Sequence, residues 1–242
     1  MKSFFSTAVS DATPISGARS LASRQAGLSP EGSKVLETRL RRARLGLFVG
    51  LVGIVMVFVS FTSAYVVRQG LPSLDPRTDT LISDWFVLPL PRLLFVNTLV
   101  LLVSSGTMEL ARRQIARQAA VTRTAFNNFG AAPDRAWNAS WLALTVVLGL
   151  SFLAGQWTAW RELAARGFYV STNPSSSFFY LLTGTHGVHL FGGVLALLVA
   201  VVAALLRRPI ESRLVILDIT GWYWHFMAVL WIYILCLLKF AR

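Results

Sequence analysis

The chain has 242 residues, of which 55% are hydrophobic and 14% are charged, and its formal net charge is +12. Soluble domains of this length rarely hold so few charges among so many apolar residues, so the composition excludes an ordinary soluble protein and indicates one that lies in a membrane. Because the basic residues fall mainly between apolar runs, they indicate membrane topology and not a nucleic-acid ligand.

The first segment, residues 1–43, is a basic tail rich in Ser, Ala, Gly and Arg without apolar periodicity. Such a segment cannot bury enough surface to offset the entropy of ordering, so we predict a mobile tail. Asp11 and Pro14 interrupt the opening residues before the apolar core of a secretory leader could form, and no cleaved signal is expected. An organelle transit peptide is the competing interpretation, which Glu31 and Glu37 weaken.

Five apolar stretches follow within residues 44–242, and each reaches the ~20 residues that a helix needs to cross the bilayer core. They cover residues 45–67, 92–111, 136–160, 177–206 and 217–240. Backbone polar groups in lipid must be satisfied internally, which favours helices over open strands. The sequence therefore predicts an all-α, polytopic membrane bundle with five transmembrane helices.

The basic residues also predict the orientation of the chain. Most of the 23 Lys and Arg residues fall on one side of the five spans, in the tail and in the second and fourth connections. Because basic residues are enriched in cytoplasmic segments, we predict a cytoplasmic N-terminus and a C-terminus outside.

Residue patterns in the last two spans give further expectations. Residues 173–177, Asn-Pro-Ser-Ser-Ser, predict a helix start, since a hydroxyl can cap free N–H groups and proline tolerates the first turn. Trp222 and Trp224, early in the fifth span, are typical of an interfacial aromatic belt.

Cys236 is the single cysteine. It excludes a disulfide framework, and we predict that it is a small, buried, apolar residue.

An ionisable side chain at membrane depth is costly unless it is paired or hydrated, so each one is a candidate site. Glu109 lies near the cytoplasmic end of the second span, and Arg112 and Arg113 follow within one helical turn. Local ion pairs at this spacing are the simpler interpretation. The functional interpretation is an acidic group near a cytoplasmic proton entrance, where it helps to hold water or protons.

Three histidines lie in the last two spans. His186 and His189 share one face of the fourth span among several glycines, which permit close helix packing in lipid. His225 of the fifth span is the predicted polar partner of that face. Interhelical hydrogen bonding is the favoured interpretation, and a haem or metal site is the alternative because haem uses the same ligands. No nucleophile triad, phosphate-binding loop or dinucleotide-binding motif is present in the sequence.

Several segments of the chain, taken in order, carry motifs of one known family. The strongest are a Thr-Gly-x-His-Gly-x-His helix and a Tyr-Trp-His-Phe helix. The segments are 173–189, 223–226 with Trp231, Asn97-Thr98 with Ser104-Ser105 and 109–113, and Gly155-Gln156 with Trp160-Arg161. Together they resemble subunit III of the haem-copper oxidases that use cytochrome c or quinol. The resemblance runs from about residue 45 to the end and implies a five-helix variant of the family.

This resemblance implies a non-redox accessory subunit of a terminal oxidase that reduces oxygen to water and pumps protons. The implied partners are oxidase subunits I and II and membrane lipids, in a bacterial inner (cell) membrane. Haem and copper would lie in the partners, and this chain would bind phospholipid but no metal, nucleic acid or small-molecule substrate. No residue is then catalytic. Glu109 is the proton-linked candidate, and the structural polar groups are Asn97, His186, His189 and His225.

Two departures from the family pattern limit what the resemblance carries over. Ile54 and Ala228 stand where the family commonly has carboxylates. A role assigned to either carboxylate therefore does not apply here, and Glu109 is the membrane carboxylate left to test.

Three alternative functions remain at this point. One is a subunit III-like protein of a nitric oxide reductase. Another is a haem-b anchor of a quinone-linked dehydrogenase, with His225 and either His186 or His189 as axial ligands. A small-solute transporter is third and is disfavoured because the sequence shows no internal repeat. The choice between cytochrome c and quinol as donor depends on other subunits.

Overall fold

A computed structural model describes residues 30–74, 81–82, 85, 88–125, 136–206 and 210–240. Its helices are α1 (Pro30–Gly70), α2 (Leu93–Ala125), α3 (Ala136–Ala165), α4 (Pro174–Leu205) and α5 (Ile210–Phe240). The two-residue strands β1 (Ser73–Leu74) and β2 (Leu81–Ile82) pair antiparallel in the connection after α1. Each of the five helices is long and apolar enough to cross a membrane. The predicted all-α bundle with five spans is thus confirmed.

The first helix begins earlier than the apolar pattern indicates. α1 starts at Pro30, so residues 30–43, which we expected in the mobile tail, are helical. Lys, Leu, Glu and Arg dominate this part, and these residues have high helix propensity. An apolar span directly after them supplies the helical nucleus that a short polar segment lacks. The rest of the predicted tail, residues 1–29, lies outside the described residues.

Helices α2 to α5 build the core, and α1 packs at its edge. In the most apolar stretch of α1 only 6% of the residues are buried, against 33–39% in the other four helices. The five largest fully buried side chains are Trp224, Trp231, Phe58, Phe152 and Phe179, and Phe58 alone of these belongs to α1. Most of the α1 surface is therefore left for lipid or for a partner protein.

Trp224 belongs to this core and not to the interfacial belt expected from the sequence. Its side chain is buried, whereas that of Trp222 is exposed. The Trp224 Nε1 donates a hydrogen bond to Ser104 Oγ at 3.1 Å. Its ring fits against α3 because residue 149 is glycine, where a Cβ would lie 2.7 Å from Trp224 Cη2. The tryptophan therefore joins α2, α3 and α5.

Helix α4 begins at the predicted motif, although a different group caps it. Asn173 is the N-cap and Pro174 is the first helical residue. The amide oxygen of Asn173, and not a hydroxyl, accepts a hydrogen bond from the Ser176 N–H at 2.8 Å. An Asn oxygen satisfies an otherwise free helical N–H as well as a hydroxyl does.

Cys236 lies on the outer face of α5 and is exposed, so the expectation of a buried cysteine was wrong. The apolar pattern of a membrane helix does not distinguish its core face from its lipid face, because both are apolar. A thiol is a small apolar group that suits either environment.

Candidate functional site

Ionisable side chains from α1, α2 and α5 meet at the end of the bundle where α1 and α5 begin. We call this group the charged cluster; its members are Arg44, Glu109, Arg112, Arg113, Asp218 and His225. On α2, Glu109 Oε1 accepts a hydrogen bond from Arg113 Nε at 2.9 Å, and Glu109 Oε2 lies 3.5 Å from Arg112 Nη1. The structure thus places Glu109 in ion pairs with both arginines that follow it.

Asp218 is the most buried carboxylate of the charged cluster, with 12% of its side chain exposed. It accepts hydrogen bonds from Arg44 Nε at 2.7 Å and from Arg112 Nη2 at 3.3 Å. It therefore ties α1 and α2 to α5. The sequence patterns did not identify Asp218, which lies one residue inside the predicted fifth span. Its spacing of seven residues from His225, two turns on one helix face, is the signal that could have found it.

Gly221 allows Arg112 to reach Asp218. A Cβ at residue 221 would lie 2.5 Å from Arg112 Cδ. The arginine side chain therefore lies across the α5 backbone at this glycine. Because residues 218, 221 and 225 are spaced by three and four, they share the face of α5 that meets α2.

His225 joins the charged cluster and not the histidine face of α4. Its Nδ1 lies 2.5 Å from Ser105 Oγ, and its Nε2 lies 3.7 Å from Glu109 Oε2. The α4 face is contacted instead by Tyr223, whose hydroxyl donates to the His189 carbonyl at 2.8 Å. Side chains two residues apart on a helix point to nearly opposite sides. Tyr223 therefore faces α4, and His225, which we expected to face α4, faces α2 instead.

A cavity of about 190 Å³ opens beside the charged cluster. Its lining includes Glu109, Arg112, Arg113, Leu217 and Asp218. In liquid water each molecule occupies about 30 Å³, so a space of this size holds several waters. The carboxylates of Glu109 and Asp218 line this space and can exchange protons with water in it.

A second set of polar side chains lies inside the bundle, away from the charged cluster. We call it the core polar group: Asn97 of α2, Gln156 of α3 and His186 of α4, which are 3%, 2% and 0% exposed. Asn97 Nδ2, both polar atoms of the Gln156 amide and both ring nitrogens of His186 have no hydrogen-bond partner among the described residues. Burying a polar group without a partner costs about 1–3 kcal/mol.

His186 and His189 occupy different surroundings despite their shared helix face. The ring of His186 packs against Phe152 and Trp231, with centroid distances of 5.9 and 5.1 Å, and those two rings also contact each other. The ring of His189 lies 6.0 Å from Phe58 of α1, and its Nδ1 lies 2.8 Å from the Thr185 carbonyl oxygen. Within the described ranges, no three His, Cys, Asp or Glu side chains are grouped so that they could hold a metal ion.

The family model and the known proteins that match this chain carry the same description. Residues 33–241 match the model of the family described as cytochrome c oxidase subunit III. A cytochrome c oxidase subunit 3 from Bacillus sp. is 27% identical over 206 residues, which are 85% of this chain and 88% of the relative. Its counterpart from Arabidopsis thaliana is 28% identical and covers 87% of this chain and 72% of the relative.

A probable cytochrome c oxidase subunit 3 from Mycobacterium bovis is 30% identical over 102 residues, or 42% of this chain. In that comparison the chain spans 50% of the length of the relative.

Proposed function

Because the chain belongs to the cytochrome c oxidase subunit III family, we propose that it is an accessory subunit of a haem-copper terminal oxidase. In this proposal the complex reduces oxygen to water and pumps protons, and the redox centres lie in subunits I and II. The observation that carries the proposal is the family match over residues 33–241, which includes all five membrane helices. The chain itself contributes no catalytic residue.

The proposed contribution of this subunit to proton uptake centres on Glu109. Its side chain is 35% exposed and lines the cavity beside the charged cluster. His225 and Arg112 lie next to the same carboxylate oxygen, at 3.7 and 3.5 Å. An acidic group that contacts both water and a second titratable group can collect protons and pass them on to a neighbouring subunit.

The proposed structural contribution is to hold the complex together in the membrane. The outward face of α1 carries many exposed apolar side chains, among them Phe48, Val52 and Met56. In a bilayer such a face packs against lipid tails or a partner helix. We therefore include bound phospholipid and contact with subunits I and II in the proposal, in a bacterial inner membrane with the N-terminus in the cytoplasm.

Purification of the tagged chain in a mild detergent tests the assignment. We expect a large haem-containing catalytic subunit to copurify, and we expect the haem absorption to disappear when the chain is separated from it. An untagged strain carried through the same purification controls for adventitious haem. A nitric oxide reductase as the copurifying partner would contradict the oxidase assignment. A Soret band that stays with the isolated chain and disappears in His225→Ala would show a haem-b anchor instead.

A further inference from the structure

The core polar group has more hydrogen-bonding capacity than the surrounding protein satisfies. Asn97, Gln156 and His186 together hold five buried nitrogen and oxygen atoms without a partner among the described residues. Native proteins leave very few such atoms unpaired, and ordered water usually supplies the missing bonds. A group of this kind on three different helices therefore calls for a ligand that can donate and accept hydrogen bonds.

Contacts on either side of Gln156 place it opposite His186. One turn before it on α3, the ring of Phe152 packs on the ring of His186. One turn after it, Trp160 Nε1 donates to Thr183 Oγ1 of α4 at 3.1 Å. Since α3 and α4 are antiparallel, Gln156 lies opposite the single turn between residues 183 and 186.

Residues 152, 156 and 160 are spaced by four and share one face of α3. Phe152 and Trp160 both contact α4 from this face. Gln156 lies between them and therefore faces the turn of α4 that carries His186.

Asn97 reaches the same level from α2. Its amide packs directly on Gly155, where a Cβ would lie 2.1 Å from Asn97 Oδ1. Gly155 precedes Gln156 on α3, and the next residue on α2, Thr98, accepts a hydrogen bond from Trp231 Nε1 at 2.9 Å. The ring of Trp231 in turn packs on His186. Side chains from α2 to α5 thus enclose one polar site.

We propose that the core polar group is an internal water site, in which at least one water molecule bridges Gln156 and His186. A neutral imidazole has one donor and one acceptor nitrogen, and an amide has both kinds of group. One water donates two hydrogen bonds and accepts two, so it can serve the Gln156 amide and one His186 nitrogen together. The bridge joins α3 to α4 and fixes which His186 nitrogen carries the proton.

Electron cryomicroscopy of the intact wild-type complex tests the proposal directly. Buried waters of the catalytic subunits serve as the internal standard for resolution. Where those are visible, we expect a density peak within about 3 Å of both a Gln156 amide atom and a His186 nitrogen. No peak there, or a direct hydrogen bond between the two side chains, would overturn the proposal.

Paired substitutions provide the second test. Gln156→Leu and His186→Phe each remove one end of the bridge and leave polar atoms at the other end unpaired. We therefore expect the double variant to lower the half-dissociation temperature of the subunit by clearly less than the sum of the two single losses. A strictly additive double variant would show that the residues share no water.

Gln156→Leu combined with Thr107→Val is the matched control. Thr107 bonds to Thr145 and Ser104, away from the core polar group. Distant and independent sites add, so this pair should show the full sum of its single losses.

Discussion

At the scale of single residues, Asp218 joins more helices through ion pairs with arginine than Glu109 does, although the sequence identified Glu109 as the candidate site. Its two arginine partners come from α1 and α2, whereas Glu109 pairs with arginines of its own helix. Hydrogen bonds that involve charged groups contribute about 1.5–3 kcal/mol each, and more is lost when a buried partner is left behind. Asp218 is therefore the residue whose loss should loosen the attachment of α1.

We predict that Asp218→Asn destabilises the subunit by about 2 kcal/mol, because the guanidinium groups of Arg44 and Arg112 lose their counter-ion. The measurement is the temperature at which half of the subunit dissociates from the purified complex. Glu162→Gln is the matched control, since it breaks an exposed pair with Arg166 at the other end of the bundle. Such surface pairs contribute about 0–1 kcal/mol. Equal effects of the two substitutions would contradict the role given to Asp218.

Glu109→Gln should leave the fold intact and slow proton uptake, because the amide keeps the shape of the side chain but cannot take up a proton. The expected result is lower oxidase turnover, with the largest loss at alkaline pH, where protons are scarce. Steady-state oxygen consumption across pH measures it, with Glu162→Gln again as the control. A pH profile identical to that of the wild type would remove Glu109 from the proposed proton path.

At the scale of helices, apolar length predicted the spans well, and their ends less well. The predicted second span ends at residue 111, whereas α2 continues to Ala125 as Arg- and Gln-containing helix. Hydropathy detects where a helix is apolar and not where it stops, since polar residues with high helix propensity prolong it. Residue spacing along one helix predicted the local Glu109 pairs, but it could not predict the pairs of Asp218, whose partners lie on other helices.

The contact between α2 and α5 depends on the absence of a side chain at Gly221. We predict that Gly221→Ala displaces Arg112 from Asp218 and costs about 1–3 kcal/mol, as overpacking does elsewhere. Subunit dissociation temperature measures this loss. Gly106→Ala on α2 is the control, because no atom lies within 4 Å of a Cβ built there. The cost should vanish when Gly221→Ala is added to Arg112→Ala, and a cost that persists would locate the clash elsewhere.

At the scale of the whole molecule, the two ends of the bundle differ in their charged residues. The charged cluster occupies the end where α1 begins and α2 ends, and the capped start of α4 occupies the other end. The asymmetry of Lys and Arg predicts that the charged cluster is cytoplasmic. Glu109 can take up protons from the cytoplasm only in that orientation. The proposed role of Glu109 in proton uptake therefore requires a cytoplasmic N-terminus.

Thiol labelling in whole cells tests this orientation. Cys236→Ala removes the single native cysteine, and Ser171→Cys and Ala132→Cys then place one thiol in the connections after α3 and α2. Because these connections follow successive spans, they must lie on opposite sides of the membrane. We expect a membrane-impermeant maleimide to label Ser171→Cys in intact cells and Ala132→Cys only after permeabilisation. The reverse pattern would place Glu109 outside and exclude it from cytoplasmic proton uptake, while leaving the family assignment unchanged.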